Sequence, residues 1–331
     1  MNVLITGAAG FIGFHLSIYL LKKNYNVLGL DNLNSYYSLK LKKDRLRVLS
    51  NFKNFKFYKI DLSDKQKLFK ALNKEKIDIV VNLAAQAGVR FSIQNPDEYL
   101  KSNLIGFCNL LNVIKDKKIK HFLFASTSSV YGKSVKKKFS ENDPAIFPIQ
   151  FYAATKRSNE IIAHSYSYIY KIPMTGLRFF TVYGPWGRPD MALFSFTKNI
   201  IAGKKINLFN YGKHKRDFTY IDDVVESIYL TLKRIPKKSK KQNLSNSTDA
   251  PFEILNIGGG KKIKLMSFLG EIETNLKKKA KINYLPLQKG DVLETNCDTK
   301  KIKSYLNFIP KTNYKVGIKK FIDWYILYFK K

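Results

Sequence analysis

The sequence predicts an α/β protein, a doubly wound, mostly parallel Rossmann sheet with a smaller C-terminal α/β substrate domain. Three observations carry that expectation. Short apolar runs alternate with segments whose apolar residues recur at helical spacing, the pattern of a parallel sheet covered on both faces. The first run, Asn2–Thr6, opens directly into Gly7-Ala-Ala-Gly10-Phe11-Ile12-Gly13 and a helix. A second run, Val27–Leu30, ends on Asp31, about twenty residues past the glycine loop, where a dinucleotide-binding unit carries an acid.

Each element follows in order. Without a Cβ the glycines let the backbone turn tightly and approach a ligand, and the N–H groups opening the helix favour a diphosphate. Asp31 is suited to accept hydrogen bonds from ribose hydroxyls and to repel a 2′-phosphate, which favours NAD over NADP. The alternative is a tight βα turn with no ligand. A polar loop, Asn32 to Tyr37, leads to a lysine-rich helix ending near Ser50, and Phe55–Lys59 reads as a third strand. Asp61 and Leu62 follow as adenine-edge candidates, with Ser63 and Gln66 as a capping box for the next helix. A fourth strand, Ile77–Asn82, runs into Leu83, Ala84 and Ala85, small enough for backbone to lie against a cofactor. Pro96-Asp97 opens a helix to about Lys117, His121–Ser126 is a fifth strand, a helix follows Tyr152, and Met174–Arg178 is a sixth. Past Arg178 the winding breaks into a loop rich in Pro, Gly and aromatic residues, Phe179 to Pro189. A helix then starts near Ala192, and Ile206–Phe209 is a short strand outside the main sheet. Asp222–Lys233 reads as helix, Lys237–Ala250 as a polar lysine- and serine-rich insert of no assigned function, Glu253–Ile257 as a strand returning to the sheet, and Val316–Tyr328 as a closing helix.

The 331 residues are ample for a buried core, and the formal charge is +34. Such a charge suggests nucleic acid or an anionic membrane. Yet only eight of the 59 basic residues are arginine, and the lysines are scattered along a chain also rich in Phe, Tyr, Ile and Asn. That pattern fits codon bias from an A/T-rich genome, with polyanion binding as the minority alternative. Two cysteines, Cys108 and Cys297, offer neither a disulfide framework nor metal spacing, and the four histidines form no ligand pattern. The first strand begins at residue 2, leaving no room for a signal peptide, and no apolar run reaches membrane-spanning length. The expectation is a cytoplasmic protein with no metal, no nucleic-acid partner and no membrane partner.

The chemistry-bearing residues sit at strand ends. Ser126-Thr-Ser-Ser129 closes the fifth strand, and Tyr152 and Lys156, four apart at a helix start, share one face. A phenol has a pKa near 10, and lowering it toward 7 takes about 4 kcal/mol, the scale of one close positive charge. Lys156 is expected to supply that charge, and Thr127 to complete a proton relay. Tyr-x-x-x-Lys also occurs at Tyr19/Lys23, Tyr36/Lys40, Tyr211/Lys215 and Tyr229/Lys233, so spacing alone selects nothing; only the pair at 152 and 156 follows a hydroxyl cluster downstream of a dinucleotide loop.

Together, Gly7-x-x-Gly10-x-x-Gly13, Ser126-Thr-Ser-Ser-Val-Tyr-Gly132 and Tyr152-x-x-x-Lys156 resemble the extended short-chain dehydrogenase/reductases, the nucleotide-sugar epimerases and dehydratases. Ala84–Arg90, Arg178–Met191, Arg216–Asp223 and Gly290–Thr295 are similar to the UDP-glucuronate 4-epimerase branch of that family. The resemblance runs nearly end to end, most specifically over Thr181–Met191. It implies a tightly bound NAD, oxidation and re-reduction of carbon 4 of UDP-glucuronate, and a homodimer formed through the helices near 97–117 and 152–170. It implies Tyr152 as proton acceptor, Lys156 on the nicotinamide ribose, and Thr127 assisting. Gly7, Gly10, Phe11, Ile12, Gly13, Asp31, Asn32, Asp61, Leu62, Leu83, Ala84, Ala85, Asn103, Ser126, Tyr152 and Lys156 are the implied cofactor residues. For the sugar nucleotide it implies Arg216 on the diphosphate, Asp291 as a further contact, and Phe209 either on uracil or as a core aromatic. The division it implies is residues 1–177 with about 213–258 for NAD, and about 178–212 with 259–331 for the nucleotide sugar.

Oxidation at carbon 4 makes a uronate a β-keto acid able to lose carbon dioxide, so the carboxylate has to be gripped. Thr127, Ser128, Ser129 and Thr181 are candidates, with Arg188 guarding the orientation and Arg90 a second arginine. Related decarboxylases carry a glutamate where this chain has Ser129, and related 4,6-dehydratases an Asp–Glu pair after the threonine. Neither acid is present, which favours plain epimerisation. Decarboxylation to a UDP-pentose, another UDP-sugar 4-epimerase and a non-catalytic nucleotide- or RNA-binding relative remain as alternatives.

Overall fold

The computed structural model describes residues 1–134, 136–238 and 249–330. Alternating βα winding builds the first half: β1 (Asn2–Thr6), α1 (Phe11–Lys22), β2 (Asn26–Asp31), α2 (Leu39–Leu49), β3 (Phe55–Lys59), α3 (Lys65–Leu72) and β4 (Ile79–Asn82). Short helices α4 (Phe91–Gln94) and α5 (Pro96–Tyr99) lead through a π-helical turn, Leu100–Ile105, into α6 (Gly106–Ile114). β5 (His121–Thr127), α7 (Phe151–Tyr170) and β6 (Met174–Phe179) complete this half. Then come β7 (Thr181–Tyr183), α8 (Ala192–Ile201), β8 (Lys205–Leu208), β9 (Lys215–Tyr220), α9 (Ile221–Lys233) and β10 (Phe252–Ile257). The chain closes with β11 (Lys262–Lys264), α10 (Leu265–Leu276), β12 (Lys281–Tyr284), α11 (Lys300–Leu306) and α12 (Tyr314–Phe329).

Among the described residues seven strands form one parallel sheet in the order β10-β6-β5-β4-β1-β2-β3. Strand periodicity divides its side chains between two cores. Val3, Ile5, Val81 and Leu123 face the layer containing α1 and α9, whereas Leu4, Val80, Phe122 and Phe124 face the layer of α3 and α6. Strand order reverses between β1 and β4, which opens a crevice at their carboxyl ends. Among the described residues no helix is long and apolar enough to cross a membrane, and Cys108 and Cys297 are free thiols.

Several local expectations change. The capping box at Ser63 and Gln66 does not form: Asp64 caps α3, accepting from the Lys67 N–H at 3.1 Å. Ser63 turns back instead, its N–H and hydroxyl both donating to Asp61. The helix expected from Pro96 is interrupted by the π turn. β9 pairs with β7 and β11 in a three-stranded sheet separate from the main one. β8 pairs with β12 outside the main sheet, and β10 returns to the main sheet beside β6. Most of the lysine-rich insert, residues 239–248, lies outside the described residues.

One buried ionic cluster holds α7 against the sheet. The Arg178 guanidinium on β6 donates through Nε and Nη2 to the two carboxylate oxygens of Glu160 on α7, each at 2.8 Å. The Ser126 hydroxyl on β5 donates to the same carboxylate at 2.6 Å, and Arg157 adds a further bond at 2.8 Å. Glu160 and Arg178 are buried, so removing one charge leaves the other uncompensated in low dielectric. Glu160→Gln is expected to lower unfolding stability by about 3–5 kcal/mol, measured by urea denaturation; a change near zero would contradict this assignment.

Candidate active site

The glycine loop is shaped by steric exclusion. Gly7 has φ of +71°, and a Cβ there would lie 2.8 Å from the Ala84 backbone nitrogen. A Cβ on Gly13 would lie 2.1 Å from the Gly7 carbonyl oxygen. Only hydrogen at these positions lets the β1–α1 turn pack against the loop after β4 and leaves the first N–H groups of α1 facing the crevice. That cradle, together with an acid at the tip of β2, fits the diphosphate and ribose of a dinucleotide.

The cleft is continuous from this loop to α7. Gly7, Gly10, Phe11, Ile12, Gly13, Asp31, Asn32, Asp61, Leu62, Leu83, Ala84, Ala85, Ser126, Thr127, Tyr152, Lys156 and Arg188 all line it. Asp31 accepts from the Leu33 N–H at 2.8 Å and the Ala9 N–H at 3.2 Å. Burial pushes its carboxyl up, opposed by these bonds and by the Lys42 charge. Asp61 is likewise partly buried, but bonds from Asn32 at 2.9 Å and from Ser63 outweigh that effect and hold its carboxyl below the usual range.

Asn103 does not line the cleft. It stands behind it on the π turn, clamping the loop after β4: its Oδ1 accepts from the Gln86 N–H at 2.8 Å and its Nδ2 donates to the Gln86 carbonyl at 3.0 Å. The same amide reaches Thr155 on α7 at 3.0 Å, and its backbone carbonyl accepts from Asn159 at 2.7 Å. A local widening of the helix at a functional site is a common use of the π turn; here it joins the cofactor side of the cleft to α7.

Tyr152 and Lys156 project from the first turns of α7. Burial is the largest influence on both. It holds the Tyr152 phenol above its ordinary value, opposed by the Arg188 charge and by a hydrogen bond with the Thr127 hydroxyl. It lowers Lys156 to about 8, opposed by Glu160 one turn further on. In this structure the groups that oppose burial at the phenol are Arg188 and Thr127, and Lys156 Nζ faces Asn159 Oδ1 at 3.5 Å.

The carboxylate candidates are divided. Thr127 and Arg188 share the cleft, and Thr181 lines a small adjoining cavity that also reaches Arg188. Ser126 turns its hydroxyl away to Glu160. Ser128 and Ser129 lie in the 3₁₀ turn past Thr127, outside the cleft lining, and the Ser129 N–H donates to Thr127 Oγ1 at 3.2 Å. Arg90, Phe209, Arg216 and Asp291 gather in a second group. The Arg90 guanidinium lies 4.2 Å from the Phe209 ring centroid and 3.8 Å from Asp291, which lies 3.9 Å from His214 Nε2. Arg216 donates to the Val292 and Leu293 carbonyls at 2.7 and 2.9 Å. Burial lowers its pKa to about 10 against the pull of Asp291.

Sequence reasoning missed several contributors. Lys42 lines the cleft beside Asp31 and donates to the Asn34 carbonyl at 2.7 Å. Arg45 is fully buried and donates to the Ala9 carbonyl (2.7 Å), the Tyr37 hydroxyl (2.8 Å) and the Trp186 carbonyl (2.5 Å). It thus ties the glycine loop to the loop bearing Arg188. Nothing short of the folded chain brings residues 9, 45 and 186 together. His214 has no local pattern that would mark it.

Comparison with known proteins gives concordant findings. The profile described as the NAD dependent epimerase/dehydratase family matches residues 3–257. The chain is 47% identical over 335 residues to Protein CapI of Staphylococcus aureus, covering all of both chains. It is 42% identical to the probable UDP-glucuronate 4-epimerase of Rhizobium meliloti, covering 98% of this chain and 97% of the relative. It is also similar to a crystal structure of UDP-glucuronic acid 4-epimerase from Bacillus cereus in complex with UDP-glucuronic acid and NAD. There the TM-score is 0.89 at 34% identity, covering 99% of this chain and 100% of the other.

The buried lysine carries a pH signature. Lys156 holds its proton below about 8 in the folded chain and below 10.5 when freely solvated. Between these limits the unfolded chain binds more protons, so this group's contribution raises stability as pH rises. In NAD-free protein, Lys156→Met is expected to be more stable than the parent near pH 7 by up to about 3 kcal/mol. The difference shrinks toward zero as the pH approaches about 10.5. Urea denaturation across that range checks it; a pH-independent difference would contradict the assignment.

Proposed function

The chain belongs to the NAD dependent epimerase/dehydratase family, and we propose that it inverts carbon 4 of UDP-glucuronate to give UDP-galacturonate. The observation that carries the reading is the single cleft joining the glycine loop and Asp31 to Tyr152, Lys156, Thr127 and Arg188. The similarity to proteins named as UDP-glucuronate 4-epimerases supports the choice of sugar. Bound NAD supplies the hydride acceptor and donor for carbon 4.

The chain's own residues supply the rest. The glycine-loop N–H groups hold the cofactor diphosphate, and Asp31 accepts from the adenosine ribose. Tyr152 takes the 4-hydroxyl proton as carbon 4 is oxidised and gives it back when the sugar, turned within the cleft, is reduced on its other face. Thr127, beside the phenol in the cleft, relays that proton between the phenol and the sugar oxygen. The positive charges of Arg188 and Lys156 offset the cost of forming a phenolate in a buried site. Arg188 pairs with the sugar carboxylate, a task suited to a planar fork. Arg216 and Asp291 meet the nucleotide, and Phe209 stacks on the base. In this reading residues 1–177 with about 213–258 form the NAD-binding domain and about 178–212 with 259–331 the nucleotide-sugar domain, with Thr127 and Arg216 of the first also meeting the sugar nucleotide.

The active form is a homodimer. Ile161, Tyr168 and Ile169 on α7, with Leu100 and Ile105 on the preceding π turn, are large apolar side chains left exposed, as expected of a helical interface between two copies. The free thiols of Cys108 and Cys297 accord with a cytoplasmic location.

Purified protein incubated with UDP-glucuronate and followed by NMR is expected to give UDP-galacturonate. A dominant pentose product with carbon dioxide release would overturn the reading in favour of decarboxylation. Tyr152→Phe is expected to retain NAD and to lose turnover by at least about 100-fold; turnover at the parent's rate would exclude the phenol as proton acceptor.

A further inference from the structure

The loop that carries Arg188 also carries a carboxylate with no part in the chemistry above. Asp190 engages the Arg188 fork twice: Nε donates to Oδ1 at 3.0 Å and Nη2 to Oδ2 at 2.5 Å. Tyr36, on the loop after β2, donates its hydroxyl to the same Oδ2 at 3.2 Å. The Tyr36 ring packs on Phe91 at 4.9 Å between centroids. Its hydroxyl lies so close to Gly88 that a Cβ there would stand 2.3 Å away. The segments following β2 and β7 therefore meet at this ion pair, and the segment following β4 backs Tyr36.

An arginine held this way differs from a free one in two respects. Its charge is already compensated, so a second carboxylate is attracted less strongly, and the plane of the fork cannot swing. Asp190 uses the Nε and one Nη2 donor; the Nη1 edge is left for a ligand. Arg188 itself lines the cleft with Tyr152. Both respects matter to a sugar that becomes a β-keto acid. Its decarboxylation breaks the C5–C6 bond, sends that electron pair into the ketone as an enolate, releases carbon dioxide and takes up a proton at C5. A carboxylate gripped away from that alignment keeps its carbon.

We propose that Asp190 is a positioning residue: clamped by Tyr36, it turns the Nη1 edge of Arg188 toward the sugar carboxylate and so sets the partition between epimerisation and decarboxylation. The proposal rests on the function proposed above. Asp190→Asn keeps the side-chain shape and one acceptor while removing the charge. In that variant KM for UDP-glucuronate falls, because the cation is no longer neutralised. The ratio of UDP-pentose to UDP-galacturonate rises about tenfold, the scale of one charge-assisted hydrogen bond. Tyr36→Phe, which removes only a hydroxyl, moves the ratio in the same direction by less. An unchanged ratio in both variants overturns the proposal. So does a rise in KM with a fall in kcat at constant ratio, the pattern of a residue that serves only the fold. Failure of the parent to form UDP-galacturonate is a separate result, and it removes the reading of the site on which the proposal stands.

Discussion

The Glu160–Arg178 ion pair is the constraint on which the rest of the site depends. A phenol and an ammonium are useful only if their helix is docked at one depth and rotation against the sheet. Apolar packing between a helix and a sheet tolerates small slides, whereas a bidentate pair with both bonds at 2.8 Å does not. Because Glu160 lies two turns beyond Tyr152 and one beyond Lys156, fixing it on β6 fixes both. Ser126 extends the clamp to β5, so the strand that delivers Thr127 is registered to the same carboxylate. Burial makes the pair costly to break, and its negative member keeps a counter-charge near Lys156 in a site that otherwise disfavours charge.

A second set of contacts relates the cofactor wall of the cleft to its substrate wall. Asn103 joins the loop after β4 to α7, and Arg45 joins the glycine loop to the carbonyl of Trp186. Trp186 is further seated among Phe14, Trp324 and Tyr328, at centroid distances of 5.1 to 5.3 Å. The closing helix α12 thus supports the loop that presents Arg188. An arrangement of this kind suits chemistry in which the cofactor stays and the sugar turns, since both walls must keep their spacing through the cycle.

Much of this was legible in the sequence, for physical reasons that can be named. Buried parallel strands are short apolar runs, so β1 and β2 were readable. Three glycines at the start of a helix cost backbone entropy, a cost that makes sense where a ligand needs close approach, and Asp31 in register with them marked the cofactor wall. Tyr152 and Lys156 were separable from four similar pairs only by their place after Thr127. What escaped reading depends on contacts between distant segments. Arg45 and Lys42 sit in a lysine-rich helix that looks like a solvated face, yet both are buried. Asp190 looks like a loop acid until Tyr36 is brought beside it. Asp64 displaced Ser63 as helix cap because Asp61 captures the Ser63 hydroxyl. Burial, the largest influence on both Tyr152 and Lys156, has no sequence signature.

In the reaction proposed for this cleft, one carbon is oxidised and re-reduced by a cofactor that does not leave. UDP-glucuronate carrying deuterium at carbon 4 tests it most directly. The expected product is UDP-galacturonate that retains the deuterium at carbon 4, with none passed to solvent or to free cofactor. Product bearing protium at that carbon would contradict it.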